Sequence, residues 1–454
     1  MSPYCAELPY HSNGAKYYAA LSDLPWAVWL DSCGMARYDI LSASPQCTVM
    51  IDHNEQQRDP FDMLRDQLGE LLAPLPNVPF SGGALGYWSY DLSRQMMGLP
   101  AISSAVALLP KMAIGLYDWA LVIDHLRRTA KLLSRQRYAD TADLLPEILR
   151  RLRGRKAPQN PGNFAVRGQI TSNFTPASYA AAFSKVQEYL RSGDCYQINL
   201  AQKFKAQASG DAFSAYLKLR QLSRAPYSAF LQLPQLQILC NSPERFVSVL
   251  GDRVETRPIK GTRPRSPVAA RDQELARDLL NHHKDRAENL MIVDLLRNDL
   301  GKVCKTGSVR TPRLFEVESY ANVHHLVSTV EGRLASTLDS LDVLRACFPG
   351  GSVTGAPKRR AMQIIDQLEP DPRGVYCGAI GYVGFDGNMD TNIGIRTMVH
   401  FGNEIACWAG GGIVADSTEQ SEYQETLDKA SVMLELMQQC GGEYEGVPRR
   451  HGSQ

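Results

Sequence analysis

Apolar and polar positions follow two rhythms along this chain, and neither persists for long. WAVWL at 26–30, AIGLYDWALVIDH at 113–125 and FSAYLKLRQL at 213–222 alternate between strand-like and helix-like patterns. In TPASYAAAFSKVQEYLRSGD, Thr175 is a natural N-cap, Pro176 suits the first helical position and Gly193 stops the helix. CYQINLAQKFKAQ then alternates as a strand. A single long helical pattern covers 268–300 and stops at Gly301. The last helix starts within DSTEQSEYQETLDK, where Ser417 and Gln420 have capping-box spacing. The two element types mix without a regular βαβ rhythm, which predicts an α+β fold rather than a doubly wound sheet. RRLRGRKAPQNPGN at 150–163 is basic and rich in breakers, so it reads as an exposed connection. The expected organisation is an N-terminal region over 1–150, a basic connection over 151–168 and a core over 169–440.

Composition narrows the class. The 454 residues are 44% hydrophobic and carry a net charge of +1, which gives no general attraction to nucleic acid or membrane. No aromatic residue interleaves the basic connection, as a nucleic-acid groove would prefer. The ten cysteines form no C-x-x-C pair, which argues against zinc and redox motifs. They read as small core residues of a reducing compartment, and a cytoplasmic location is expected. MSPYCAELPYHSNG lacks the basic and apolar regions of a signal peptide, and no apolar run reaches the ~18 residues of a membrane span.

Two glycine-rich motifs fail as nucleotide sites. GGSVTGAPK at 350–358 lacks the Gly-Lys-Ser/Thr ending of a phosphate loop. GAIGYVG at 378–384 has the wrong spacing for a dinucleotide fingerprint and leads into a turn. Their glycines suit tight turns, and they also suit backbone that comes close to a small ligand.

The strongest chemistry lies in two acid pairs. Asp285 and Glu288 are three apart in KDRAENLMIVDLLRND, and so are Glu422 and Glu425 in SEYQETLDK. On a helix each pair shares one face. Either pair alone reads as a solvated acidic face. The first, however, runs directly into the apolar stretch LMIVDLL, and the second follows the glycine-rich junction AGGGIVADS. If the pairs converge, the four carboxylates repel one another unless protonated or neutralised by a cation. An all-oxygen site with few protein donors suits Mg²⁺, which shares its coordination with an anionic substrate. Arg396 in NIGIRTM, Lys358 after its glycine-rich turn and one of His324 and His325 are candidate partners for that anion; strand periodicity sends the two histidines to opposite faces.

PIKGT, SPERF, DRAENLMIVDLLRND, VHHLVSTV, GGSVTGAPKRRAM, GAIGYVGFDGNMD and AGGGIVADSTEQSEYQET occur in this order, and together they resemble the chorismate-utilising enzymes. The resemblance runs from about 170 to 438, and SGGALGYWSYDL and LYDWALVIDH extend it into the N-terminal third. It implies two packed, largely antiparallel sheets with outer helices and the site between them. It also implies Mg²⁺, with Glu288 and Glu425 as direct ligands and Asp285 and Glu422 holding metal-bound waters. Two positions sort the branches. Gln197 stands where isochorismate and salicylate synthases carry a water-activating lysine. Lys260 stands where anthranilate synthases have alanine.

The resemblance then implies a transferase that aminates chorismate and keeps its enolpyruvyl group, with component I of anthranilate synthase as the alternative. Lys260 would be the nucleophile, and Gly261-Thr262 would let the backbone approach the ring. The reaction needs a neutral amine, and Arg257, Arg263 and Mg²⁺ are the cations expected to favour it. Glu244 resembles the acid that assists the departing hydroxyl, with His325 nearby. Tyr376, Arg396 and Gly410, Gly411 and Gly412 resemble the cradle of the enolpyruvyl carboxylate. Ser352 stands where related enzymes have threonine, and Lys429 would balance the acids. A tryptophan pocket is expected at Ser32, Tyr38, Pro226 and Tyr227; whether tryptophan is bound or regulates is left open. No cysteine has the G-x-C-x-G context of a glutamine-hydrolysing nucleophile. About 15 residues follow the last helix, so ammonia is expected from a separate glutamine amidotransferase subunit. A non-catalytic relative would be expected to have lost a carboxylate, and none is lost.

Overall fold

The computed structural model describes residues 3–52, 58–100, 109–154, 162–320 and 323–444. Strand alternation decides its layout. Val28 and Trp29, Ile40 and Leu41, Ile238 and Leu239, and Val399 and Met398 are neighbours in sequence, yet the members of each pair enter different apolar clusters. The period-two rule therefore gives one sheet two buried faces. That sheet has twelve strands among the described residues and a second has ten. Every strand pairing within them is antiparallel.

Between the sheets, Val28, Ile238 and Val399 of the larger meet Leu85, Val247 and Ile380 of the smaller. On the outer face of the larger sheet, helices Ala139–Arg153, Ala212–Leu222 and Glu419–Gln439 cover the other set through Ile148, Tyr216 and Met433. Helix His283–Gly301 packs on strand Val323–Arg333 of the smaller sheet. Strands from the first 150 residues lie in both sheets. Residues 155–161 of the basic connection lie outside the described residues. No helix among the described residues is long and apolar enough to cross a membrane.

Local signals decide some elements and fail at others. Thr175 caps helix Pro176–Arg191 by accepting from Ser178 N, and Gly193 follows with φ +79°. The long pattern over 268–300 is instead two helices, Ala269–Asn281 and His283–Gly301. His282 breaks it by taking extended backbone, and its ring accepts from Asp285 N at 3.4 Å to cap the second helix. The last helix begins at Glu419 behind Thr418, which makes no side-chain cap. Ser417 does not complete a capping box, because its hydroxyl donates to Glu422 at 2.6 Å.

Lys358 is likewise not free for a ligand. Its ammonium lies 2.9 Å from Asp299 and donates to Cys347 O at 2.7 Å, with both side chains buried. This pair ties helix Lys358–Leu368 to helix His283–Gly301. Lys358→Met leaves the Asp299 carboxylate buried with only Lys302 as partner, and a loss of about 3 kcal/mol is expected. Urea unfolding measures it, and Arg345→Met at an exposed ion pair should cost far less.

Candidate active site

Two of the points where the chain passes between the two sheets are adjacent, and each carries a predicted site residue. Strand Leu236–Ser242 of the larger sheet leads directly into Arg245–Leu250 of the smaller, with Glu244 at the crossing. Strand Met389–Ile393 of the smaller leads back to Thr397–Phe401 of the larger, with Arg396 at the crossing. Ile393 N donates to Glu244 O and Asn241 N to Arg396 O, which holds the crossings side by side. NIGIRTM is therefore not one continuous strand. Arg396 takes φ +48°, a backbone uncommon for a residue with a Cβ and frequent at functional sites. Its guanidinium has no hydrogen bond or ion pair to the described residues, and burial lowers its pKa. A half-buried cation with no counter-ion is costly by itself, so the position favours an anion.

Lys260 lies on the outer strand Ile259–Pro264, opposite Leu326. The register slips between Lys260 and Thr262, and Gly261 at that slip has φ +77°. A Cβ on Gly261 would stand 2.8 Å from Asp285 Cγ and from Leu279 Cδ1. Glycine thus permits both the bulge and the close approach of the acid-bearing helix. Lys260 Nζ is 3.9 Å from Glu288 Oε2. The expected cationic neighbours are taken up elsewhere: Arg257 pairs with Glu318, and Arg263 pairs with Asp278 and Asp285. Carboxylates, not guanidinium groups, face the lysine. Thr262 Oγ1 is 3.0 Å from His325 Nδ1. His324 bonds Ser319 and Asp272 instead, so the two imidazoles do part as strand periodicity requires.

Both acid pairs occupy the first two turns of their helices, where the backbone dipole favours negative charge. One helix packs on each sheet, so the pairs approach from two sides. Lys284, which sequence reasoning passed over, stands 3.9 Å from both Glu288 and Glu422. Its signal was available in the i,i+4 spacing to Glu288. Lys429 pairs with Glu425 at 2.6 Å and donates to Gly410 O at 2.9 Å. Burial raises the Glu288 carboxyl above its ordinary range, with Lys260 and Lys284 opposing. Burial also raises Glu422, opposed by the Ser417 hydroxyl. Glu425 feels burial too, but Lys429 brings it below the ordinary value. Asp285 is engaged by Arg263 at 3.2 Å and His282 at 2.9 Å.

The strand Glu404–Ile413 supplies the floor. A Cβ on Gly411 would lie 2.8 Å from Glu422 Oε2, an oxygen that is buried and makes no hydrogen bond. A Cβ on Gly412 would lie 2.7 Å from Gln197 Nε2, and neither end of that buried amide has a partner. Ser352, in the short turn Gly351–Val353, donates to Glu244 Oε1 at 3.4 Å. Burial pushes Glu244 up to about 7, against the opposing charge of Lys260. Tyr376 sits apart from the acids; its ring stacks on Trp408 with centroids 6.4 Å apart. Met35, Arg224, Tyr320, His325 and Arg396 line a cavity of about 220 Å³. Beside it, Ser32, Tyr38, Pro226 and Tyr227 all line a second cavity of about 600 Å³.

Among the described residues no three His, Cys, Asp or Glu side chains stand close enough to hold a metal alone. Mg²⁺ needs only one or two carboxylates, completing its shell with water and substrate oxygens. The orphaned Glu422 oxygen and the oxygen-only donor set fit that ion.

A half-buried arginine without a counter-ion, a buried acid near neutrality and carboxylates brought together by one helix from each sheet define a site for a small polyanion. The chain belongs to the chorismate binding enzyme family, whose match covers residues 26–435. Aminodeoxychorismate synthase component 1 of Escherichia coli is 46% identical over 96% of this chain and 99% of its own length. Anthranilate synthase component 1 of Streptomyces coelicolor is 39% identical over 89% of this chain and 81% of its own. Among solved structures, anthranilate synthase component I of Streptococcus pneumoniae superposes with a TM-score of 0.78 at 35% identity, covering 87% of this chain and 92% of that one.

Burial, followed by the charge of Arg396, lowers the His325 imidazole to about 4. An imidazole NMR titration should find His325 still neutral near pH 5, and that signal should vanish in His325→Asn. The unfolded chain takes up this proton near ~6.5 and the folded chain only near 4. The stability tied to neutral His325 is therefore present above ~6.5 and is lost as pH falls towards 4.

Proposed function

We propose that the chain converts chorismate and ammonia to 4-amino-4-deoxychorismate, the precursor of 4-aminobenzoate and folate. The observation that carries this reading is Lys260 between Glu288 and Glu244, at the position where anthranilate synthases resemble this chain but have alanine. The identity to the Escherichia coli relative supports it. Arg396 receives one substrate carboxylate, with Tyr376 and the backbone at Gly410–Gly412 alongside. Glu288 and Glu425 would hold Mg²⁺, with Glu422 and Asp285 behind them. That ion, when bound, supplies positive charge to the ring carboxylate and polarises the ring.

The chain's own groups carry the proton and the nucleophile. The Glu244 carboxylate, made basic by burial, takes a proton from the Lys260 ammonium. One transfer yields both the neutral amine and the protonated acid the chemistry needs. Lys260 Nζ then bonds to C2 of chorismate while the C4–O bond breaks, and the Glu244 proton leaves with the hydroxyl as water. Ammonia bonds to C4, the C2–N bond breaks, and the proton shed by nitrogen returns to Lys260. Chorismate plus ammonia thus gives aminodeoxychorismate plus water, with the enolpyruvyl group kept.

Ammonia comes from a separate glutamine amidotransferase subunit. Cys377, the cysteine nearest to a glycine-flanked context, is buried, and its thiol is pushed up to about 12, the opposite of an activated nucleophile. The 600 Å³ cavity is the place for tryptophan, since it offers tyrosine, proline and aliphatic walls beside the Asp31 carboxylate.

Four outcomes are expected. With chorismate, Mg²⁺ and ammonium salts, the purified chain forms aminodeoxychorismate and no anthranilate; anthranilate as product would establish the alternative. Excess chelator stops turnover, as do Glu288→Gln and Glu425→Gln, each read by product chromatography. When ammonia is withheld, intact mass and peptide mapping find substrate attached to Lys260; unimpaired Lys260→Ala turnover without any adduct would refute the nucleophile. Glutamine supports no turnover until the partner subunit is added.

A further inference from the structure

Arg373 is 1% exposed and bonds to the backbone of segments that carry groups assigned a chemical role. Its Nη1 donates to Val353 O at 2.8 Å, in the short turn that presents Ser352. Its Nη2 donates to Asn199 O at 2.8 Å, two residues along the strand from Gln197. The face of its guanidinium lies 4.8 Å from the Tyr90 ring centroid and 5.8 Å from that of Tyr376. Glu369 fixes the group from the other side, accepting from Nε at 2.8 Å and from Nη2 at 2.6 Å. Glu369 also accepts from Ala201 N at 2.8 Å, so the ion pair grips the same strand twice. A planar fork with rigid donors can serve three fixed directions at once, and an ammonium cannot.

We infer that Arg373 is a positioning residue that sets the Ser352 turn, the Gln197 strand and the Tyr376 ring in one fixed relation across the substrate site. This rests on the function proposed above. Effective alignment of reacting groups is lost steeply with small displacements. Loosening Arg373 should therefore lower turnover while the carboxylate ligands and Arg396, which hold the ground state, keep their places.

The test compares Arg373→Lys, Arg373→Met and Glu369→Gln with the wild-type chain in ammonium-dependent turnover of chorismate, assayed well below each melting temperature. A wild-type chain that does not aminate chorismate would remove the functional reading itself, separately from this inference. With an active wild type, Arg373→Met is expected to lower kcat about 100-fold and Arg373→Lys about 10-fold, with KM for chorismate within about 3-fold. Arg65→Met, which breaks the ion pairs with Asp339 and Asp342 at the N-terminus of helix Ser340–Cys347, serves as the stability control. It should lower the melting temperature and leave kcat unchanged. Wild-type kcat in both Arg373 variants would overturn the inference. So would a rise in KM alone, or an equal kcat loss in Arg65→Met. If the Arg373 variants do not fold, Glu369→Gln decides: a kcat loss of about 10-fold at constant KM supports the inference, and wild-type kcat overturns it.

Discussion

Two sheets that share one apolar core impose the constraint on which the rest of the molecule depends. Their facing side chains must interdigitate, so the polypeptide can pass between them only where it leaves strand geometry. Glu244 and Arg396 occupy two such passages, and backbone hydrogen bonds lock the passages together. Glu244 is buried there, and Arg396, half-buried, lines the adjoining cavity with His325. That circumstance explains the raised Glu244 carboxyl and the unpaired Arg396 together.

Charge supplies the second level of organisation. Glu288, Glu422 and Glu425 would drive their helices apart if left alone. Lys260, Lys284 and Lys429 prevent this, and each ammonium reaches the cluster from a different direction or turn. The acids are thus held ready by groups that a divalent cation and an anionic substrate can replace. Because the two helices pack on different sheets, the cluster also reports whether the sheets are in register.

Much of this was legible in the sequence because it is local or periodic. The i,i+3 acid pairs, the cap at Thr175, the alternation from Gln197 and the parting of His324 from His325 follow from spacing alone. The fold followed from the order of the family motifs. What was missed depends on partners distant in sequence. Lys358 looked available because Asp299 lies 59 residues away, and Arg257 and Arg263 looked like neighbours of Lys260 until Glu318, Asp278 and Asp285 claimed them. His282 broke a helix whose apolar periodicity gave no warning. Ser417 had the spacing of a cap, but a buried carboxylate five residues on was the stronger acceptor.

Gly261 has a consequence that reaches beyond this chain. The bulge there, not the side chain before it, brings the acid-bearing helix against the strand. The side chain at 260 stands on an outer strand, and its one ionic contact among the described residues is with Glu288. An alanine at this position would leave backbone register, bulge and helix contact intact. On the role proposed for Lys260, the choice of a covalent or a direct route is separable from folding within this architecture, so divergence between sister activities can turn on a single codon.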